Sequence, residues 1–410
     1  VSEESALGLY ADGSTRLYFQ PAADYSGTIS DIITFRAWDR TGGFSAGVAN
    51  GSRMGLPGGI ASSIYTPGSA WAIASSSDGR YGFVADAASG LTVLDLVDRT
   101  APSVLATVAT FGTSIGVAIS ADGNTAYVSC TGSGIEVFDI SDPASPTSLA
   151  SLALPASGSP VGIQLSDDGN RLFVAGESAG LVIINVTDRT APFVEGSSAV
   201  ANEALGVTLS TNGDIAYVSD RTDGLYLFDV TTPTAPTLLG SVDTPGKGRF
   251  VAVNSAGTLA YVAVASSGLQ VVDVSDPTSP VLGTLMPTPA SGGGTWSVEL
   301  SADESFAYVT DALSGVHVVN LSDPANPYIA QSYDTRGAAG ETAATPDGQS
   351  LLVADDSGGV TVINLLEEIV STESDTAELR VIPGAPTVHA ATDLSGVTAA
   401  EAQAGLITIW

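Results

Sequence analysis

Seven copies of one four-strand pattern, set 44–47 residues apart, predict an all-β chain: a seven-bladed β-propeller of four-stranded blades. Three observations carry this. A turn of the Asp-Gly type recurs at Asp78-Gly79, Asp122-Gly123, Asp168-Gly169, Asn212-Gly213, Ala256-Gly257, Asp303-Glu304 and Asp347-Gly348, in steps of 44, 46, 44, 44, 47 and 44 residues. A second marker, Asp95, Asp139, Asn185, Asp229, Asp273, Asn320 and Asn364, repeats the same steps independently. No window sustains a helical period, whereas short apolar runs bounded by Gly, Asp and Pro occur throughout.

The second repeat shows the elements in order. An apolar run at 115–119 is the first strand, and the Asp122-Gly123 turn makes a hairpin with the second, 126–129. A Gly-containing loop leads to the third strand, 134–138, and the turn SDPASP leads to a weaker outer strand at 148–152. The Asx marker closing each third strand is needed in every repeat. It therefore reads as a structural cap, its side chain satisfying backbone N–H groups of the next turn. The prolines of DPxxP stop strand pairing at a fixed place.

The two ends of the array complete each other. The seventh repeat runs out after its third strand, near Leu365. Upstream of the first repeat, IASSIYTPG at 60–68 matches LLGSVDTPG at 238–246, the outer strand of the fourth repeat. An outer strand supplied from the N-terminal side would close the ring and remove an exposed sheet edge. The propeller is placed at 55–368.

GLVIINVTD from Gly180, GLQVVDVSDPTSP from Gly268 and GVHVVNLSDPANP from Gly315 resemble the LVIVD-repeat family of surface β-propellers. The segment DGNTAYVS from Asp122 is similar to the related propellers with a YVTN-like strand. The resemblance covers about three quarters of the chain and implies a fold and a bacterial or archaeal cell-surface setting; it implies no chemistry.

The flanks lack the repeat. RLYFQPAADYSGTISDIITFRAWD, within 1–54, resembles part of a cadherin-like tandem repeat of large bacterial adhesins, and ELRVIPGAP, within 369–386, has the character of that repeat's last strand. The resemblance implies a partial β-sandwich interrupted by the propeller. Residues 387–410 read as a linker or the start of a next domain. The expected parent is a longer multidomain chain.

Composition excludes several functions. With 44 Asp+Glu against 13 Lys+Arg the net charge is −31, which argues against a nucleic-acid partner held by a basic surface. One cysteine, Cys130, and two histidines, His317 and His389, allow no internal disulfide, cysteine cluster or His-rich metal site. No apolar run is long enough for a transmembrane segment. The 44% hydrophobic content nevertheless suffices for a packed core, so the charge is read as an acidic surface in an extracellular or cell-surface medium rather than as disorder.

The stereotyped turns share one face of the ring, so function is expected on the other, where the loops vary. At the start of the first strand, repeats two to four carry Ile115, Val161 and Leu205, each followed by Gly. Repeats five, six, seven and one carry Arg249-Phe250 (with Lys247), Trp296, Glu341 and Trp71. Asp86, Asp220, Asp311 and Asp355 end the second strand where other repeats have Cys130, Gly176 and Val264. In a closed ring these repeats are neighbours. The ligand-binding candidates are Trp71, Arg249, Phe250, Trp296, Glu341, Asp86, Asp311 and Asp355, because aromatic and Arg side chains dominate interface anchors. The opposing reading has the Trp residues plug the channel and the Asp residues cap loops. Ca²⁺ is a possible ligand of these carboxylates, although no Asp-x-Asp-x-Asp-Gly loop occurs.

The expected function is a non-catalytic binding or adhesion module for an extracellular protein or glycan. The alternative is a propeller hydrolase or lactonase using the same acidic and aromatic arc; no GxSxG, P-loop or HExxH motif selects it.

Overall fold

The computed structural model describes residues 59–365, apart from 156–157, 202 and 290–293, and beyond these the backbone of six strands. The chain divides into two compact units, Gly55–Glu367 and a discontinuous one formed by Val1–Met54 with Glu368–Trp410.

The larger unit is a ring of seven four-stranded antiparallel sheets. The innermost strands of blades 1 to 7 are Ala72–Ser75, Thr113–Ile119, Ile163–Leu165, Ala204–Leu209, Gly248–Val253, Thr295–Leu300 and Thr342–Ala344. In blades 1 to 6 the four strands follow in chain order. Blade 7 takes its outer strand from Gly59–Ile64, which pairs antiparallel with Val360–Asn364. Among the described residues no helix is long and apolar enough to cross a membrane.

Burial follows strand position. The second and third strands are covered almost throughout and mostly apolar, as in Leu172, Val174, Leu181 and Ile183, with single buried polar positions such as Thr92, Glu136, Gln270 and His317. Outer strands alternate or lie open, so Val104, Phe193 and Leu238 remain exposed. Every third-to-fourth pair carries a register shift at the same place, for example between Val137 and Phe138 and between Leu227 and Phe228. One bulge per blade adds twist to the outer strand.

The core lies between blades. Phe83, Leu91 and Val93 of blade 1 meet Val128 and Phe138 of blade 2, and Val84 and Leu94 meet Leu352 and Val362 of blade 7. Between innermost strands the approach is closer still. A Cβ on Gly206 would stand 2.7 Å from the carbonyl oxygen of Arg249, and one on Gly116 would stand 2.6 Å from that of Val161. Glycine after Ile115 and Leu205 is thus required by backbone contact. In the same seam the Ser129 hydroxyl donates to the Val161 carbonyl at 2.7 Å, and Ser219 donates likewise to Arg249.

Both sequence markers act as turn caps. Asp95 accepts from the Val97 N–H at 2.9 Å, Asp139 from Ser141 at 2.9 Å and Asp229 from Thr231 at 2.9 Å. In six of the seven Asp-Gly-type turns, all but Ala256-Gly257, a Ser or Thr two residues earlier donates to the Asp or Asn, as Ser120 does to Asp122 at 2.6 Å. That bond and the Arg189 guanidinium, 2.8 Å away, hold the Asp122 carboxyl down at about 2. Each glycine of these turns has positive φ; in blade 6 the position is taken by Glu304 with φ 57°.

The smaller unit contributes one six-stranded sheet. Its order is Arg16–Tyr18, Leu406–Thr408, Ala400–Gln403, Thr387–Ala391, Ser374–Val381, Gly27–Arg36. Strand Gly27–Arg36 pairs antiparallel with Ser374–Val381 across the inserted ring sequence. The stretch 387–410, for which the sequence suggested a linker or a next domain, supplies three of the six strands. The remaining residues of 1–54 and 369–410 lie outside the described residues.

Candidate functional site

The loops joining second to third strands, and each blade to the next, share one face of the ring. Where they meet the innermost strands there is a cavity of about 330 Å³. One wall is formed by Ile115, Val161 and Leu205 of blades 2 to 4, the other by Phe250, Trp296 and Trp71 of blades 5, 6 and 1. Charge is confined to Arg249 and Lys247, from the strand and loop opening blade 5, and to Glu177 and Arg221, from second-to-third loops.

The aromatic side chains hold each other. Trp71 and Trp296 stand 5.4 Å apart between ring centroids at 55°, and Phe250 and Trp296 stand 6.3 Å apart at 39°. The Arg249 guanidinium carbon lies 4.3 Å from the Trp296 centroid, within cation–π range. Burial and the nearby charge of Arg221 lower the pKa of Arg249 from its ordinary value. Among the described residues Arg249 forms no ion pair, whereas Arg221 approaches Glu177 at 3.7 Å and Glu203 at 4.0 Å. Glu177 is set at the mouth by its backbone: it has φ 45° and bridges Ala204.

The structure divides the eight sequence candidates. Trp71, Arg249, Phe250 and Trp296 converge on the cavity. Asp86, Asp311 and Asp355 are buried and do not line it. Asp86 accepts from the Thr66 hydroxyl at 2.7 Å, the Gly68 N–H at 3.0 Å and the Thr92 hydroxyl at 2.9 Å. Asp355 accepts from Thr335 at 2.6 Å and Thr361 at 3.1 Å, and Asp311 accepts from the Leu313 N–H at 3.2 Å. These carboxylates tie the incoming interblade loop, or the loop after their own strand, to the blade. Grouping them with the aromatic residues is corrected accordingly: their oxygens are turned inward onto the chain's own donors.

Two neighbouring internal positions, the end of the second strand and the early third strand, hold two other singular residues. In blade 2 Cys130 stands where Asp86 stands in blade 1, and the buried Glu136 of the third strand accepts from the Phe111 N–H at 2.6 Å instead. Burial first, then the charge of Glu136, pushes the Cys130 thiol up to about 12, so it is not a nucleophile near neutrality. His317 is buried, with Nδ1 2.8 Å from the Ser332 hydroxyl and Nε2 3.3 Å from that of Ser314, and burial lowers its pKa.

Glu341 does not line the cavity either. It lies half-buried on the innermost strand of blade 7, its N–H donating to the Trp71 carbonyl at 3.0 Å. Burial, reinforced by the charge of Glu299, pushes its carboxyl up to about 8. Glu299 itself accepts from the Thr342 hydroxyl at 2.7 Å and the Ala344 N–H at 2.9 Å, linking blades 6 and 7. Among the described residues no group of three or more His, Cys, Asp or Glu side chains is placed to hold a metal ion.

Sequence reasoning missed Glu177 and Arg221. Both directly follow the second-strand terminus (Gly176 and Asp220), so reading the repeats one residue further would have set them beside the arc.

Comparison with known proteins agrees with this architecture. A family model described as LVIVD repeat matches residues 67–110, 114–152, 163–199, 206–244, 245–286 and 292–335. No curated protein matches the chain. Among solved structures it is similar to the β-propeller domain of Myceliophteria thermophila Cps50 (Swd1), with TM-score 0.61 and 13% identity over 74% of this chain and 98% of that one. It is also similar to Kuenenia stuttgartiensis hydrazine synthase, with TM-score 0.60 and 16% identity over 73% of this chain and 97% of that one. At such identities the likeness concerns the fold alone.

Proposed function

Because the chain belongs to the LVIVD repeat family, and a shared fold assigns no chemistry, we propose a role from the site: the propeller is a binding module that receives its partner on the variable-loop face. The observation that carries this reading is the cavity where Trp71, Phe250 and Trp296 gather under Arg249. A concave aromatic pocket with few polar groups is the usual form of a small binding site. The loops of the same face add exposed apolar side chains, with Tyr65 at 65%, Phe111 at 80% and Leu313 at 61% exposure. Isolated exposed apolar residues are ordinary; three large ones on loops of one face favour contact with a partner there.

The partner is read as an extracellular protein or glycan, and the setting as a secreted or cell-surface protein of several domains. The acidic composition supports that setting, and the pairing of Gly27–Arg36 with Ser374–Val381 supports a propeller inserted into a flanking, cadherin-like β domain. The outer strand Gly59–Ile64 would then both close the ring and fix where the chain enters it. The hydrolase alternative calls on Asp86, Asp311 and Asp355, and nothing in their placement favours it. The test is a binding screen against extracellular proteins and glycans, with and without Ca²⁺, using the parent and a Trp71→Ala/Trp296→Ala variant. The reading expects binding that the double variant loses; unchanged binding by a folded double variant would overturn it.

A further inference from the structure

Resting on that reading of the cavity as a binding site, we propose that its ligand is an organic anion: one carboxylate carried by an aromatic or aliphatic body. Three of the chain's 13 basic residues, including its single lysine, line this one opening in a molecule of net charge −31. One of them, Arg221, is matched by Glu177 and Glu203. Arg249 and Lys247 are left without an ion pair among the described residues, so the opening carries a positive surplus. Arg249 is also half-buried, and burial opposes its charge. The charge of the buried Asp311 offsets this only in part, since the net shift remains downward. An incoming carboxylate in direct contact relieves the rest by a charge-assisted, bidentate hydrogen bond.

The other ligand classes fit less well. A cationic ligand would seek an aromatic face, but Arg249 already covers that of Trp296, and like charge would repel it. A neutral sugar would press its hydroxyls against Ile115, Val161 and Leu205, which offer no hydrogen bond. An apolar body fills that wall and the aromatic one, while its carboxylate meets Arg249. The anion is either a free acid or the C-terminus of a chain with an apolar last residue; the chemistry is the same.

The test uses the whole chain and a charge series on one body: 4-phenylbutyrate, its amide and 4-phenylbutylamine, followed by calorimetry and by tryptophan emission. A peptide ending in phenylalanine, with a free or an amidated C-terminus, forms the second arm and distinguishes the two sources. The acid should bind at least tenfold more tightly than the amide, and the amine should not saturate. Arg249→Gln should abolish the preference while leaving the amide unaffected, and Trp71→Ala/Trp296→Ala should weaken every ligand that binds. If amide or amine binds as tightly as acid, and the Trp variant loses it, the cavity remains a site and the anion proposal falls. If no member of either arm binds, or the preference survives in a folded Arg249→Gln chain, the proposal also falls. Failure of the wider reading differs: bound ligand would then be indifferent to the Trp variant.

Discussion

Arg249 lays its guanidinium carbon 4.3 Å from the ring centre of Trp296, two innermost strands brought side by side from positions 47 residues apart in the chain. The pair fixes the indole from one side while Trp71 and Phe250 hold it from the others. It also places a half-buried cation in an apolar mouth.

That cation is expected to serve binding rather than folding. A cation–π contact of this kind is worth about 1 kcal/mol, and the desolvation of an unpaired guanidinium opposes it by a comparable amount. Arg249→Met keeps much of the volume and should leave unfolding free energy within about 1 kcal/mol of the parent. Chemical denaturation measures this; a loss above about 3 kcal/mol would make Arg249 a structural residue.

The inward-facing aspartates carry the opposite expectation. Asp86→Ala leaves the hydroxyls of Thr66 and Thr92 and the N–H of Gly68 without their acceptor. The cost should be about 2–3 kcal/mol, because a buried donor deprived of its partner keeps its desolvation penalty. Cavity binding should be unchanged at temperatures where the variant is folded. A variant as stable as the parent would show that the carboxylate is not a cap.

Blade 6 offers a measurement of backbone strain. Glu304 occupies at φ 57° the position held by glycine in the other six Asp-Gly-type turns, and its carboxylate accepts from the Ser255 N–H of blade 5 at 2.6 Å. Glu304→Gly and Glu304→Ala both lose that bond, so the difference between them isolates the conformational term. Glu304→Gly should be the more stable of the two by about 1 kcal/mol. Equal midpoints would mean that the turn relaxes around alanine without strain.

Glu341 sets a pH dependence. Its folded pKa, about 8, stands above the value near 4.5 of an unhindered carboxyl, so the folded chain binds this proton more tightly than the unfolded one. The stabilisation is complete below about pH 4.5 and is lost as pH rises toward 8. Glu341→Gln should therefore raise the melting temperature at pH 8.5 and change it little near pH 4.5. Glu299, also raised by burial, keeps a residual slope of the same sign. A parent chain whose stability is level across this window, and equal to that of Glu341→Gln, would contradict the assignment.

Much of the fold was legible because its determinants are local and repeated. An Asp-Gly turn, an Asx cap and an apolar run of the right length each act within a few residues, and seven copies average out the irregular ones. Asp303-Glu304 could be aligned as a turn although its glycine is missing. The four residues that meet at the cavity were found by comparing positions between repeats, since the start of the innermost strand opens on the cavity in blades 1 to 6. The same comparison set the aspartates beside the arc, whereas their carboxylates turn onto the chain's own donors, as the loop-cap reading has it. Comparing repeats marks the end of the second strand in every blade but does not say which way a carboxylate turns, and in Asp86 and Asp355 that direction is set by hydroxyls of Thr66 and Thr335 in a neighbouring loop.

The sequence by itself determined the period, the number of blades, the four strands of each and the face on which the loops vary. Only the tertiary structure decided that Ile115, Val161 and Leu205 share a cavity with Trp71, Phe250 and Trp296. It alone decided that Arg221 is matched by Glu177 while Arg249 is not. The physical reason is that strands are specified by turns and apolar patterning along the chain. A ligand site at a channel mouth is specified by distances across the ring, which exist only once the blades have packed.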